Sequence, residues 1–208
     1  FTDPLADGPT IQAANERALA SGTTLEGILE LVSDLRRETE IPLLLMSYYN
    51  PIFRAGQEAV ARRARAAGVD GLLVTDLPPE EAEEWKAAAD AAGVDTIFLL
   101  APTSTPERID LAARMATGFV YCVSRTGVTG VQQELPADLR ALVERIRART
   151  SQPIAVGFGV SSPEHVAQIG EWCEAAVVGS AIVNLVGSHG RACVPVVGQF
   201  VRDLTGRP

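Results

Sequence analysis

The sequence predicts an α/β fold, a (β/α)8 TIM barrel of which about six of the eight strands are present. The first observation is a set of six continuous apolar runs, at residues 41–48, 69–77, 95–101, 118–124, 153–157 and 175–179. Continuous rather than alternating apolar runs are typical of parallel strands covered on both faces. Amphipathic segments separate the runs, and glycine-rich turns follow the last two of them. This alternation predicts a parallel sheet with right-handed crossovers.

Helix boundaries are legible between the apolar runs. Residues 105–107 and 162–164 each read as an N-cap hydroxyl, a proline and an acidic residue, which is how helices commonly begin. A further helix is expected to open at Pro79 and to end at Gly93, and another to begin at Pro136. With no linker between these units, we expect one domain.

The glycine turns favour a closed barrel over an open sheet. They are Gly-Phe-Gly-Val-Ser-Ser at 157–162 and Val-Gly-Ser-Ala at 178–181. Glycine lets the backbone approach an anion, and the helix N-termini beyond supply N–H donors. A pair after the last two strands is typical of the phosphate site of a barrel, whereas a dinucleotide fold would carry its glycines after the first strand. Glycines that merely make turns are the alternative.

The beginning of the sequence reads as a strand-to-helix loop at residues 1–9. A barrel of this class has eight strands and typically about 250 residues, whereas this chain has 208. We therefore expect a single barrel domain over residues 1–208 that lacks its first two βα strands. The chain would then be part of a longer enzyme.

Composition argues against several classes of partner. The net charge of −8 disfavours nucleic acid and anionic membranes, and no apolar run is long enough to span a bilayer. Three cysteines and two histidines show no metal-ligand spacing, so we expect no metal and no cofactor. An odd number of cysteines, one within an apolar run, favours reduced thiols and a cytoplasmic protein.

In a barrel, the loops at the carboxyl ends of the strands form the site. The first loop carries Asp3, which suits a turn, and Asp7, which is harder to explain as structure. Tyr48, at the end of the first run, and Asn50 are expected to face the barrel mouth. Asp76 either shapes its loop or takes part in catalysis. The loop at 124–135 holds two glycines and several hydroxyls and reads as a lid, with a disordered surface loop as the alternative.

Six segments of the chain resemble the tryptophan synthase alpha subunit, in the order and with the spacing of that family. They are Asp-Pro-Leu-Ala-Asp-Gly-Pro at 3–9, Tyr-Tyr-Asn-Pro at 48–51, Asp-Leu-Pro at 76–78, Ser-Arg-Thr-Gly-Val-Thr-Gly at 124–130, Gly-Phe-Gly-Val-Ser-Ser-Pro-Glu at 157–164 and Val-Gly-Ser-Ala-Ile-Val at 178–183. The resemblance implies a lyase of tryptophan biosynthesis that cleaves indole-3-glycerol phosphate to indole and glyceraldehyde 3-phosphate. It also implies a beta subunit as partner, in a two-alpha, two-beta heterotetramer.

The same resemblance implies roles for individual residues. Asp7 would accept the indole N–H, Tyr121 would lie near the reacting centre, and the lid residue Thr129 would orient the aspartate. The implied phosphate site comprises Gly130, Gly159, Gly179 and Ser180. The implied enclosure of the indole and glycerol chain comprises Met46, Tyr48, Leu73, Thr75, Leu100 and Phe158.

Two other hypotheses stand beside this one. The first is another phosphate-binding barrel, such as an isomerase or aldolase of phosphorylated sugars. A Schiff-base aldolase needs a lysine at a strand end, but the single lysine, Lys86, belongs to an acidic helix. The second hypothesis is a catalytically impaired barrel that only binds a phosphate ligand or a partner subunit. In the family the main general acid/base is a glutamate just before the loop at 3–9, and loss of such a group lowers rates by roughly 10² to 10⁴. We therefore expect a chain without it to be nearly inactive.

Overall fold

Six parallel strands form one sheet in chain order. The computed structural model describes residues 7–123, 139–157 and 159–206. The strands are β1 (Leu44–Ser47), β2 (Gly71–Val74), β3 (Asp95–Leu100), β4 (Val120–Val123), β5 (Ile154–Gly157) and β6 (Ala175–Val177). Each strand pairs with the next in parallel, from Leu44 opposite Gly71 to Gly157 opposite Val177. All six predicted strands are thus confirmed, each shorter than its apolar run.

Helices connect and flank the strands. They are α1 (Pro9–Ala20), α2 (Leu25–Arg36), α3 (Tyr49–Ala55), α4 (Gln57–Ala67), α5 (Glu83–Ala92), α6 (Pro106–Met115), α7 (Leu139–Arg147), α8 (Pro163–Gly170), α9 (Ser180–His189) and α10 (Cys193–Thr205), with 3-10 turns at Pro79–Glu81 and Gly190–Ala192. None of the helices in the described ranges is both long and apolar enough to cross a membrane.

Helix starts follow the predicted caps, with one difference. The hydroxyls of Thr105 and Ser162 accept the backbone N–H three residues on, at 3.3 Å in both cases. The single helix expected from Pro79 is instead a 3-10 turn followed by α5, because Ala82 between them has φ −94° and ψ 9° and breaks the helical path. The start predicted at Pro136 lies outside the described residues.

The hydrophobic core lies between the sheet and the helices. Every residue of β2 and of β5 is buried, as expected for strands covered on both faces. The edge strand β1 differs, because Leu44 and Met46 remain 43% and 60% exposed. An edge strand has a neighbour on one side only, so a continuous apolar run does not guarantee burial there.

Carboxylates fasten the amino-terminal ends of the strands. Asp70 accepts the backbone N–H of Leu43 at 2.7 Å and pairs with Arg36 of α2. Glu174 accepts the N–H of Ile154 at 2.7 Å and pairs with Arg147 of α7 at 2.6 Å. The Arg147 guanidinium lowers the pKa of Glu174. These ion pairs and hydrogen bonds therefore stabilise the end of the sheet that lies away from the carboxyl ends of the strands.

Candidate active site

A cavity of about 550 Å³ lies at the carboxyl ends of the strands. Its walls include the ends of β1 and β6, the residues after β2 and β5, and one face of α1 and α2. Eight of the residues predicted for the site line it: Asp7, Met46, Tyr48, Thr75, Tyr121, Gly159, Gly179 and Ser180. The structure thus gathers groups that are up to 173 positions apart in the sequence.

Asp7 is held in a fixed orientation at the cavity wall. It is only 7% exposed. Asn15 donates its side-chain N–H to Oδ2 of Asp7 at 3.0 Å, and Gln12 donates to the Asp7 backbone carbonyl at 2.7 Å. Gln12 and Asn15 are three residues apart and lie on the same face of α1. The carboxylate is therefore oriented by the helix that follows it, and it suits acceptance of a hydrogen bond from a ligand N–H.

Tyr121 projects from β4 into the cavity against a glycine. Burial raises the pKa of Tyr121 to about 12, so the phenol is protonated near neutral pH and can donate a hydrogen bond. A Cβ placed on Gly157 would lie 1.9 Å from the phenolic oxygen of Tyr121. Only glycine therefore leaves room for the ring in its present position.

Backbone groups dominate the end of the cavity near β5 and β6. Gly159 has φ +84°, a conformation that side chains rarely adopt, and Gly179 is the N-cap of α9, which begins at Ser180. Among the described lining residues there is no lysine or arginine, and Asp7 is the only carboxylate. The described residues at this end can hold an anion through N–H groups and the positive end of a helix dipole.

Much of the remaining cavity wall is apolar. Met46, Tyr48 and Pro51 line it, together with residues of α1 and α2 that include Ile11, Leu19, Leu25 and Ile28. Apolar walls with a few oriented polar groups are typical of small-molecule sites. The arrangement suits a ligand with a flat apolar ring at one end and an anion at the other.

Several predicted site residues lie elsewhere. Leu100, expected to enclose the substrate, is fully buried in the core between sheet and helices, because alternation along β3 points Phe98 and Leu100 toward the helices. Leu73 is also buried and is not among the described lining residues. Thr129, Gly130 and Phe158 lie outside the described residues.

Sequence reasoning missed the contribution of α1 and α2, and Asn15 above all. A barrel is expected to carry its chemistry in the loops at strand ends, whereas Asn15 lies within helix α1. The sequence does contain a pattern that predicts this contact. Gln12 and Asn15 are polar residues three positions apart, directly after the loop of Asp7, so they share one face of the helix that follows it.

Other chemistries find little support in the described residues. In ranges 7–123, 139–157 and 159–206, no group of three or more His, Cys, Asp or Glu side chains could hold a metal ion. Lys86 lies on α5, where it pairs with Asp90, and it is not among the residues that line the cavity. Its position does not suit a Schiff base with a ligand in the cavity.

Comparison with known proteins places these features in a family. The family model described as tryptophan synthase alpha chain matches residues 1–201. The tryptophan synthase alpha chain of Solibacter usitatus is 55% identical over 206 residues, which cover 98% of this chain and 77% of that protein. The Geobacter sp. strain M21 alpha chain is 51% identical over 205 residues, with the same coverage of 98% and 77%.

A solved structure agrees with the sequence relatives. A chain from the tryptophan synthase a2b2 complex of the hyperthermophile Pyrococcus furiosus superimposes with a TM-score of 0.91 at 40% identity, covering 99% of this chain and 83% of that one. The predicted barrel fold, with six of its strands in this chain, is confirmed. The chain belongs to the tryptophan synthase alpha chain family.

Proposed function

We propose that the protein is a lyase that cleaves indole-3-glycerol phosphate to indole and glyceraldehyde 3-phosphate in tryptophan biosynthesis. The observation that carries the proposal is one cavity with three parts: an apolar wall, an oriented carboxylate at Asp7, and backbone donors at Gly159 and Gly179. These parts correspond to the indole ring, its N–H and the phosphate of this substrate. Membership of the alpha chain family supports the same reaction.

The chemistry requires two proton movements. Breaking the bond between indole C3 and the glycerol chain needs a proton delivered to C3 and another removed from the side-chain hydroxyl; in the family a glutamate is the main general acid/base for these transfers. Asp7 accepts the indole N–H and stabilises the positive charge that develops on the ring when C3 is protonated. Tyr121 donates a hydrogen bond near the reacting centre. The resemblance assigns Thr129 and Gly130 to a lid that closes over Asp7 and the phosphate.

The phosphate is held without a cationic side chain from the described lining. Gly179, Ser180 and Gly159 present backbone N–H groups at the start of α9 and after β5. Binding the phosphate through fixed N–H groups places the ring end of the substrate against Tyr48 and Met46. The scissile bond then lies between the two ends, beside Asp7 and Tyr121.

A beta subunit is the proposed partner, in a two-alpha, two-beta heterotetramer. The Pyrococcus furiosus neighbour is described in terms of mutual activation within an a2b2 complex. On this chain, the helix α3 offers an aromatic pair outside the cavity: the rings of Tyr49 and Phe53 lie 5.8 Å apart, and Phe53 is 62% exposed. Exposed aromatic side chains are common anchors of protein interfaces. The contact is expected at residues 49–51 and around Asp3, which lies outside the described residues.

We also propose a single domain over residues 1–208 and a cytoplasmic location. One continuous hydrophobic cluster extends from Leu29 to Cys173, which supports one domain. None of Cys122, Cys173 and Cys193 is joined in a disulfide, which suits a reducing compartment. Fractionation of cells that express the tagged protein tests the location.

Indole release tests the proposed reaction. Purified full-length protein, mixed with the beta subunit, is given indole-3-glycerol phosphate, and indole is measured by chromatography. Asp7→Asn should lower the rate by about 10²-fold or more, because it removes the charge that stabilises the protonated ring, while inorganic phosphate binds as before. Asp34→Asn, which changes an exposed carboxylate of α2 that pairs with Arg37, is the matched control and should leave the rate unchanged. Absence of indole with the wild type, or normal turnover by Asp7→Asn, contradicts the proposal.

A further inference from the structure

The segment between β1 and α3 is fastened to the loop after β2. The backbone N–H of Thr75 donates to the Ser47 carbonyl at 2.9 Å, and the Thr75 hydroxyl donates to the same oxygen at 3.2 Å. One residue further on, Oδ1 of Asp76 accepts the backbone N–H of Tyr49 at 2.6 Å. Thr75 and Asp76 therefore form hydrogen bonds to the backbone on both sides of Tyr48, at the Ser47 carbonyl and the Tyr49 N–H.

Asp76 caps the N-terminus of α3 from another part of the chain, whereas α6 is capped by its own N-cap residue, Thr105. Tyr48 occupies the N-cap position, with φ −88° and ψ 159°, and tyrosine lacks the short oxygen with which Ser, Thr, Asp or Asn caps a helix. Asp76, in the next strand-to-helix loop, accepts the N–H of Tyr49, the first residue of α3, which has no acceptor within the helix. Its negative charge also lies at the positive end of the helix dipole.

Tyr48 connects this cap to the cavity. Its side chain is only 8% exposed, and it lines the cavity on the apolar side. Asp76 is exposed and is not among the described lining residues. A substitution at Asp76 thus acts on the cavity indirectly, through the backbone of residues 47–49 or through Thr75, its neighbour in the chain, which lines the cavity.

We propose that Asp76 is a positioning residue, which fixes Tyr48 as a wall of the indole pocket by capping α3 from the neighbouring loop. This inference rests on the proposed function for its effect on substrate. A side chain that only forms a wall binds substrate and transition state alike, so its displacement raises KM and leaves kcat largely unchanged.

Two substitutions separate this role from other possibilities. Asp76→Ala removes the acceptor and should raise KM for indole-3-glycerol phosphate about fivefold. This ratio corresponds to about 1 kcal/mol, the free energy that a typical helix cap contributes. Asp76→Asn keeps an oxygen that can accept the Tyr49 N–H and should stay near the wild-type KM. Thr105→Ala is the matched control, because it removes a cap from α6, a helix that contributes no residue to the described cavity lining.

Steady-state kinetics and hydrogen exchange of the Tyr49 amide give independent readouts. The exchange of this amide should accelerate in Asp76→Ala and stay slow in Asp76→Asn and Thr105→Ala. An unchanged KM or unchanged exchange in Asp76→Ala overturns the positioning role, as does an equal rise of KM in Thr105→Ala or in Asp76→Asn. Failure of the proposed function has a different signature, since the wild type itself would then release no indole.

Discussion

Replacement of Gly157 by alanine tests how closely the cavity is fitted around Tyr121. The added Cβ would lie 1.9 Å from the phenolic oxygen and 2.5 Å from Cζ, whereas ordinary contacts begin at 3.4 Å. The ring must therefore retreat by about 1.5 Å, and overpacking of this kind costs typically about 1–3 kcal/mol. Because Tyr121 lines the cavity, we expect Gly157→Ala to lower both the free energy of unfolding and kcat/KM.

Urea unfolding of four proteins measures the effect: wild type, Gly157→Ala, Tyr121→Leu and the double variant. Leucine lacks the phenolic oxygen and the ring carbons that meet the new Cβ, so the double variant should be more stable than the sum of the single effects by about 1–3 kcal/mol. Gly170→Ala is the control, since a Cβ there meets nothing within 4 Å. Strict additivity, or equal stability of Gly157→Ala and Gly170→Ala, would refute the argument.

Two further predictions concern the oriented carboxylate and the buried phenol. Asn15→Ala should lower kcat/KM about tenfold by releasing Asp7, whereas the exposed surface change Asp34→Asn should not; an unchanged kcat/KM in Asn15→Ala would remove Asn15 from the site. For Tyr121, the folded-state pKa of about 12 lies above the ordinary value of 10.0, so its stabilising effect is complete below pH 10 and is lost as the pH rises toward 12. Urea titrations across this range should show a steeper loss of stability in the wild type than in Tyr121→Phe, and parallel curves would contradict the assignment.

The strands and the loop of Asp7 could be predicted because their signals are local. Apolar runs indicate buried strands. The helix starts at Thr105 and Ser162 are each indicated by three consecutive residues: a hydroxyl, a proline and an acid. The site lies at the carboxyl ends of parallel strands, so a search of those ends in order finds Asp7 and the glycine turns.

Features that depend on packing between elements could not be predicted in the same way. The placement of Leu100 depends on which face of β3 each residue takes, which an apolar run without alternation does not reveal. Tyr121 pairs with Ala155, and this register brings its ring beside Gly157 two positions further on. The hydrogen bond from Asn15 to Asp7 joins the second turn of α1 to a residue just before that helix. Each of these contacts requires knowledge of register or helix orientation.

The central claim is that one cavity binds the phosphate at backbone N–H groups and the indole N–H at Asp7. A crystal structure with a non-cleavable indolylalkyl phosphate tests it most directly. We expect the phosphate against Gly159, Gly179 and Ser180, and the indole nitrogen within hydrogen-bond distance of the Asp7 carboxylate. A ligand bound with its phosphate away from these glycines, or with its ring nitrogen directed away from Asp7, would contradict the account.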